Sequence, residues 1–169
     1  MLEPIRRQFR EIAGSLGVKR TIPKKPPKTG SGVHAEFKDD TFFYVVTDCA
    51  GCGHDPERQS TKNPDELLWW FVRDLTYDLA YTWADERRED RKDHRRLWYT
   101  KHVEILREIN DEWADLQQNV YNDALNTCPY DDAEQDRIDY MQQLQADGLT
   151  MGEAYRQAEK KHPEPKSAG

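Results

Sequence analysis

The residues best suited to chemistry are Cys49, Cys52 and His54, which lie close together in the sequence. A Cys-x-x-Cys pair can hold zinc or take part in thiol–disulfide exchange. A structural zinc site needs a fourth ligand, and the remaining thiol, Cys128, is far away in sequence. A thioredoxin-like motif would open a helix, whereas Gly53 indicates a turn. Two hypotheses follow: a metal- or thiol-dependent protein that uses these residues, or a strand-end loop in which two thiols are neighbours.

The rest of the sequence lacks a catalytic motif. It contains no His-Glu-x-x-His, no Gly-x-Ser-x-Gly and no Walker-type sequence. His94 and His102 are eight residues apart, so they are not helical neighbours as residues four apart would be. We therefore predict a protein that is not an enzyme and that requires no cofactor and no metal.

A mixed-charge segment, residues 85–96, holds five acids and six bases. Nearly balanced charges favour a salt-bridged helical connection over a nucleic-acid contact. Asp93, Arg95 and Arg96 lead into an apolar helix, so we expect one of the arginines to pair with a partly buried carboxylate such as Asp93. We predict a structural role for this charged motif.

Acidic residues are concentrated in a single stretch. Residues 1–32 carry eight bases and two acids, whereas residues 108–139 carry ten acids and one base. Such a stretch either keeps the domain soluble or attracts a basic protein to a docking surface. An acidic surface repels nucleic acid, although an inhibitor can use one to imitate nucleic acid. The acids that we expect in a docking surface are Asp111, Glu112, Asp115, Asp123, Asp131 and Asp132.

The first part of the chain predicts one helix and a small sheet. Apolar residues at three- and four-residue steps indicate an amphipathic helix over residues 1–17. Residues 18–32 are rich in Pro, Gly and Lys, which is typical of a basic linker or loop. Alternating and β-branched residues predict strands at 33–38 and 41–47 and a third short strand near 57–61. Asp39 and Asp40 form the turn between the first two strands.

From residue 63 onward the pattern is helical. Asn63 is expected to cap the first of these helices, the second begins near Asp93, and Asn110 caps the third. Two later helices begin with the spacing of a capping box. Those boxes are Asp131 with Glu134, and Thr150 with Glu153.

Large apolar residues on these helices predict the core. In the helix that Asn110 caps, we expect six residues to face inward: Trp113, Leu116, Val120, Tyr121, Ala124 and Leu125. The central residues of the helical core are predicted to be Trp70, Phe71, Leu75, Trp98, Leu106 and Trp113.

Together the elements predict an α+β fold, with a small antiparallel sheet of two or three strands packed with about five or six helices. We expect a single domain over residues 33–161, with a helical extension from residue 133 and a frayed tail at 162–169. The longest apolar run, residues 67–72, is far shorter than the ~20 residues of a membrane span. Without a signal peptide or a disulfide framework, the chain is predicted to be cytoplasmic and free of membrane contact.

Short motifs in the middle of the chain occur in a defined order. They are Tyr44-Val45-Val46, the Asp-Glu-Leu-Leu-Trp-Trp sequence at 65–70, Asp93-x-Arg95-Arg96, Glu104-x-Leu106, Glu112-Trp113 and Pro129-Tyr130-Asp131-Asp132. In this order, over residues 41–132, they resemble the immunity-63 family of bacterial polymorphic-toxin systems. The Cys49–Cys52 loop stands where a Glu-Arg-Gly turn is expected in that family, and residues 133–169 extend past the family's usual end.

The resemblance implies a protein that is made beside a secreted or contact-delivered toxin and protects the producing cell by binding the toxin domain. The partner would be a protein, and the chemistry would belong to the toxin. An acidic, aromatic-rich chain without a catalytic motif agrees with this expectation. The oligomeric state is not specified by the sequence.

Overall fold

A computed structural model describes residues 1–26, 31–47 and 57–167 of the chain. Within these residues it has six helices and a three-stranded antiparallel sheet, which confirms the predicted α+β class. None of the helices in the described ranges is long and apolar enough to cross a membrane. The elements in chain order are α1 (Leu2–Ser15), β1 (Gly32–Lys38), β2 (Thr41–Thr47), β3 (Glu57–Thr61), α2 (Pro64–Asp85), α3 (Arg95–Arg107), α4 (Asp111–Thr127), α5 (Glu134–Ala146) and α6 (Met151–Lys161).

Two compact units make up the chain, Met1–Tyr77 and Asp78–Gly169. The division falls within helix α2, which contributes its first part to one unit and its last part to the other. The predicted single domain over residues 33–161, with its helical extension and frayed tail, stays a prediction.

The first unit contains α1, the sheet and the beginning of α2. β2 is the central strand and pairs with β1 on one side and β3 on the other. Asp39 and Asp40 both have positive φ angles, 49° and 55°, and form the two-residue turn of a tight hairpin. From the sheet, the Tyr44 ring contacts Trp70 and Phe71 of α2, with ring centroids 6.1 and 4.9 Å apart. These aromatic contacts connect the sheet to the helix.

The second unit contains the end of α2 and helices α3 to α6. α3 packs against α4, and α5 packs against α6. At the α3–α4 contact, the buried His102 ring nitrogen lies 2.5 Å from the Tyr121 hydroxyl. The Tyr121 ring in turn stacks on Tyr99, with centroids 3.7 Å apart. Hydrogen bonding and ring stacking therefore join these two helices in addition to aliphatic packing.

Three predicted helix caps are confirmed, and one is wrong. The side chains of Asn63 and Asn110 accept backbone N–H groups of the helices that follow them, and Thr150 with Glu153 forms the full capping box. The Asp131–Glu134 box is not formed, because α5 has Ala133 at its N-cap position. Asp131 instead accepts the backbone N–H of Ala133 and the guanidinium of Arg137.

The predicted core is correct for its aliphatic members and for Phe71, but not for the tryptophans. Phe71, Leu75 and Leu106 are buried, whereas Trp70, Trp98 and Trp113 are only partly buried. Two residues that were expected to face inward on α4, Leu116 and Val120, are exposed by 54% and 57%. The side of α4 that is buried carries Ala114, Gln117 and Tyr121 instead.

Leu106 and Leu116 provide a matched test of this arrangement. We expect Leu106→Ala to lower the free energy of unfolding by ~2–5 kcal/mol, because it leaves a cavity at a side chain that is 0% exposed. Leu116→Ala should change the free energy of unfolding by less than ~0.5 kcal/mol, because water already surrounds much of that side chain. Equilibrium denaturation measures both, and equal losses in the two variants would contradict the assigned face of α4.

Candidate functional site

The charged motif predicted from the sequence meets a second segment of the chain in the structure. Asp93, Arg95 and Arg96, at the start of α3, contact residues 128–132, which follow α4. We call Asp93, Arg95, Arg96, Asp131 and Asp132 the charged cluster. Two of the sequence motifs, 36 residues apart, are thus neighbours in space.

Asp93 is the acceptor at the centre of the charged cluster. Its carboxylate accepts the backbone N–H groups of Arg95 and Asp131, each at 2.9 Å, and the Arg95 guanidinium at 2.6 Å. Burial alone would raise the pKa of Asp93. The hydrogen bonds from the Arg95 side chain and from the two backbone N–H groups outweigh burial, so the pKa is lowered. Asp93 therefore stays ionised in the folded protein at neutral pH.

Arg95 connects the beginning of α3 to the end of α4. Besides Asp93, its guanidinium donates to the backbone carbonyl groups of Cys128 at 2.9 Å and Pro129 at 2.7 Å. A cation is favourable at this position, because the last carbonyl groups of a helix lack partners within the helix and carry partial negative charge. The hydrogen bond to Asp93 raises the pKa of Arg95 above its already high normal value.

Arg96 and Asp132 form a second, two-pronged ion pair. Nε and Nη2 of Arg96 each lie 3.0 Å from an oxygen of Asp132, and the guanidinium lies 4.3 Å from the centre of the Tyr130 ring. Asp132 also accepts the backbone N–H of Asp93 at 2.9 Å. The Arg96 side chain and this N–H group lower the pKa of Asp132 to about 2. Each of the two chain segments, 93–96 and 128–132, thus supplies both donors and acceptors to the other.

Basic residues neutralise most of the acidic stretch at 108–139. Arg107 pairs with Asp111 and Asp115, and Arg91 pairs with Asp136 and Asp139. In the charged cluster, Asp131 pairs with Arg137, and Asp132 pairs with Arg96 and Lys92. Within the described part of the chain, the acids of this stretch that have no such ion pair are Glu108, Glu112, Asp123 and Glu134.

The six predicted docking acids therefore fall into three groups. Asp131 and Asp132 belong to the charged cluster, where they are hydrogen-bonded to Asp93, just before the start of α3. The side chains of Asp111 and Asp115 lie along one flank of α4 and bind Arg107. The third group is Glu112 and Asp123, which are the two of the six that are exposed and have no ion pair in the regions that the structure describes.

Beside the charged cluster lies an open cleft of about 1050 Å³. Its walls carry both signs of charge, among them Arg88 and Lys92 on one segment and Asp131 and Glu134 on another. No set of three or more His, Cys, Asp or Glu side chains among the described residues is placed to bind a metal ion. The predicted metal- or thiol-binding residues Cys49, Cys52 and His54 lie outside the described residues, and the third cysteine, Cys128, is an exposed free thiol.

Leu116 and Val120 were predicted to face inward, but both lie on the surface. At about 100° per residue, positions 112, 116, 120 and 123 fall on one flank of α4, whereas the buried positions 114, 117 and 121 are centred roughly 140° away around the helix. The small Ala114 and the tyrosine at 121 mark the side that packs against α3. A helical projection centred on these two residues could have found the exposed pair.

The family described as Immunity protein 63 matches residues 39–123, half of the chain, and the chain belongs to that family. No curated protein and no solved structure shows significant similarity to it. The match contains β2, β3, α2, α3 and most of α4, together with Asp93, Arg95 and Arg96. The Pro129–Asp132 motif follows the matched region and supplies the other side of the charged cluster.

Removing the charge at the centre of the cluster should destabilise the fold. We expect Asp93→Asn to lower the free energy of unfolding by ~1–3 kcal/mol, because an amide N–H₂ group would face N–H donors and Arg95 would lose its counter-charge. The matched control is Asp90→Asn, whose carboxylate is 91% exposed and should contribute little. Chemical denaturation compares the two, and a loss in Asp93→Asn no larger than that of the control would contradict the structural role.

Acid should weaken the fold in a defined pH window. The folded pKa of Asp132 is about 2, below the unfolded value of ~3.9. Its contribution to stability is therefore complete above pH ~4 and is lost as the pH falls toward 2. Between pH 4 and pH 2 we expect the wild type to lose more stability than Asp132→Asn, as measured by urea denaturation at each pH. Parallel pH profiles for these two proteins would be inconsistent with the pairing of Asp132 and Arg96.

Proposed function

We propose that this protein binds a cognate bacterial toxin domain and neutralises it, protecting the producing cell. The observation that carries the proposal is its membership of the Immunity protein 63 family, whose name implies a protein that confers immunity. In this proposal the protein acts in the cytoplasm, as a binding protein and not as an enzyme. Any catalytic chemistry belongs to the toxin.

The solvent side of α4 is the surface that we assign to the toxin. Glu112 and Asp123 are exposed there and have no ion pair among the described residues, so their fields are not cancelled by a neighbouring base. They lie on the same flank of the helix, on either side of the exposed Leu116 and Val120. Free carboxylates at such positions can attract a basic partner during association.

The other predicted acids are assigned a different role in this proposal. Asp131 and Asp132 are held by Arg137 and Arg96, and a toxin that bound them would have to replace those intramolecular contacts. Asp111 and Asp115 already share Arg107. Their charges can add to the negative field around α4, whereas direct contact is expected from Glu112 and Asp123.

A net charge of −7 supports a protein partner over nucleic acid. An inhibitor that imitates nucleic acid would need a continuous row of free carboxylates. Pairing of Asp111, Asp115, Asp131, Asp132, Asp136 and Asp139 with basic side chains interrupts such a row. The geometry thus favours a mixed apolar and acidic contact.

Charge reversal on α4 tests the proposal. We expect Glu112→Lys with Asp123→Lys to slow association with the toxin domain encoded by the neighbouring gene by about ten-fold at low salt, with a smaller effect at high salt because ions screen the field. The melting temperature should fall only slightly, because both side chains are exposed, and the cost of a lysine in the first turn of α4 is partly offset by a lysine nearer its end. Stopped-flow or surface-based kinetics give the association rate, and survival of cells that co-express toxin and variant gives protection.

The control variant carries the same change in net charge elsewhere. Glu11→Lys with Asp147→Lys alters two exposed acids outside α4, so it reports the effect of total charge alone. A smaller loss of association rate is expected for this variant than for the α4 variant. Equal rates for the two variants would assign the electrostatic effect to net charge and remove Glu112 and Asp123 from the contact. Absence of binding by the wild type would refute the proposed function itself.

A further inference from the structure

Helix α4 carries an apolar stripe on its outer flank. Leu116 and Val120 lie four residues apart, one above the other on the same face, and are exposed by 54% and 57%. In contrast, the side of α4 that packs inward is formed by Ala114, Gln117 and Tyr121. Two neighbouring branched aliphatic side chains thus face solvent while a glutamine is buried.

Carboxylates stand at both ends of this stripe. Glu112 precedes Leu116 by one helical turn, and Asp123 follows Val120 by three residues. Eleven residues at a rise of 1.5 Å separate the two acids by roughly 16 Å along the helix. We call Glu112, Leu116, Val120 and Asp123 the α4 stripe.

A second copy of this chain does not fit the α4 stripe. Two-fold pairing with antiparallel helices would bring Glu112 of one copy to Asp123 of the other. Two-fold pairing with parallel helices would bring each acid to its own equivalent. In both arrangements like charges meet beside an apolar contact that excludes water, which is unfavourable.

We propose, building on the proposed function, that the α4 stripe binds an apolar patch of the toxin domain that is flanked by two basic side chains about 16 Å apart. Leu116 and Val120 contact the patch, and Glu112 and Asp123 each pair with one base. An apolar centre with a charged rim is the usual anatomy of a protein interface. Charge complementarity along the stripe selects this partner over a second copy.

The two kinds of residue act on different rate constants. Removing apolar contacts from the centre of an interface mainly accelerates dissociation, whereas removing peripheral charge mainly slows association. Leu116→Ala with Val120→Ala should therefore raise the dissociation rate, and weaken the affinity, by about ten-fold or more, with little change in association rate. Both side chains are more than half exposed, so the variant is expected to fold as the wild type does.

The experiment measures association and dissociation rates of the purified toxin domain from the neighbouring gene with the full-length protein and two variants. The first variant is Leu116→Ala with Val120→Ala. The control is Met151→Ala with Tyr155→Ala, which removes two exposed apolar side chains from α6 and should leave both rates unchanged. Sedimentation of the protein alone at micromolar concentration is expected to show a monomer.

Each outcome has a defined meaning. Faster dissociation in the α4 variant only, with a monomeric wild type, supports the proposal. Wild-type binding with equal rates in all three proteins overturns the assignment of the α4 stripe and leaves the proposed function standing. No binding by the wild type overturns both. A dimer that dissociates in the α4 variant assigns the stripe to a second copy and refutes the toxin as its occupant.

Discussion

One guanidinium, that of Arg95, joins the start of α3 to the end of α4. It donates to Asp93 on its own segment and to the carbonyl groups of Cys128 and Pro129 across the contact. Without Arg95, the carbonyl groups of Cys128 and Pro129 would lose this donor and would have to bind water instead. Asp93 completes the connection by accepting the N–H of Asp131. The cluster thereby satisfies backbone groups that would otherwise destabilise the place where three helices begin or end.

Pairing between acids and bases also explains why a strongly acidic stretch of sequence does not give an equally acidic surface. Bases that precede the stretch in sequence, among them Arg91, Arg96 and Arg107, pair with acids within it. Ion pairs of this kind link residues of α3 and α4 and residues near the start of α5, and they remove negative potential from the surface. Among the described residues, Glu112 and Asp123 are exposed acids of this stretch that no base neutralises.

Features that depend on neighbouring residues could be predicted from the sequence, and features that depend on distant partners could not. The side chain of Asn110 caps α4 by accepting the backbone N–H of Trp113, three residues later, so its role follows from spacing alone. Asp131 precedes Glu134 by the three residues that a capping box requires, but its carboxylate accepts the Arg137 guanidinium and its backbone N–H donates to the distant Asp93. Likewise, the apolar residues of α4 span about half of the helix circumference. Only the position of α3 decides which part of that arc is buried, and it leaves Leu116 outside.

In the proposed function, helix α4 serves stability on one side and binding on another. Its inner side, with Tyr121 against His102, contributes to the fold, and one flank contributes ion pairs to Arg107. The opposite flank carries Leu116 and Val120, whose exposure means that substitution there disturbs few contacts inside the protein. In the proposed function, residues on this flank can change with the toxin while the charged cluster and the core remain as they are. Such a division lets an immunity protein acquire a new partner without losing the structure that presents the binding surface.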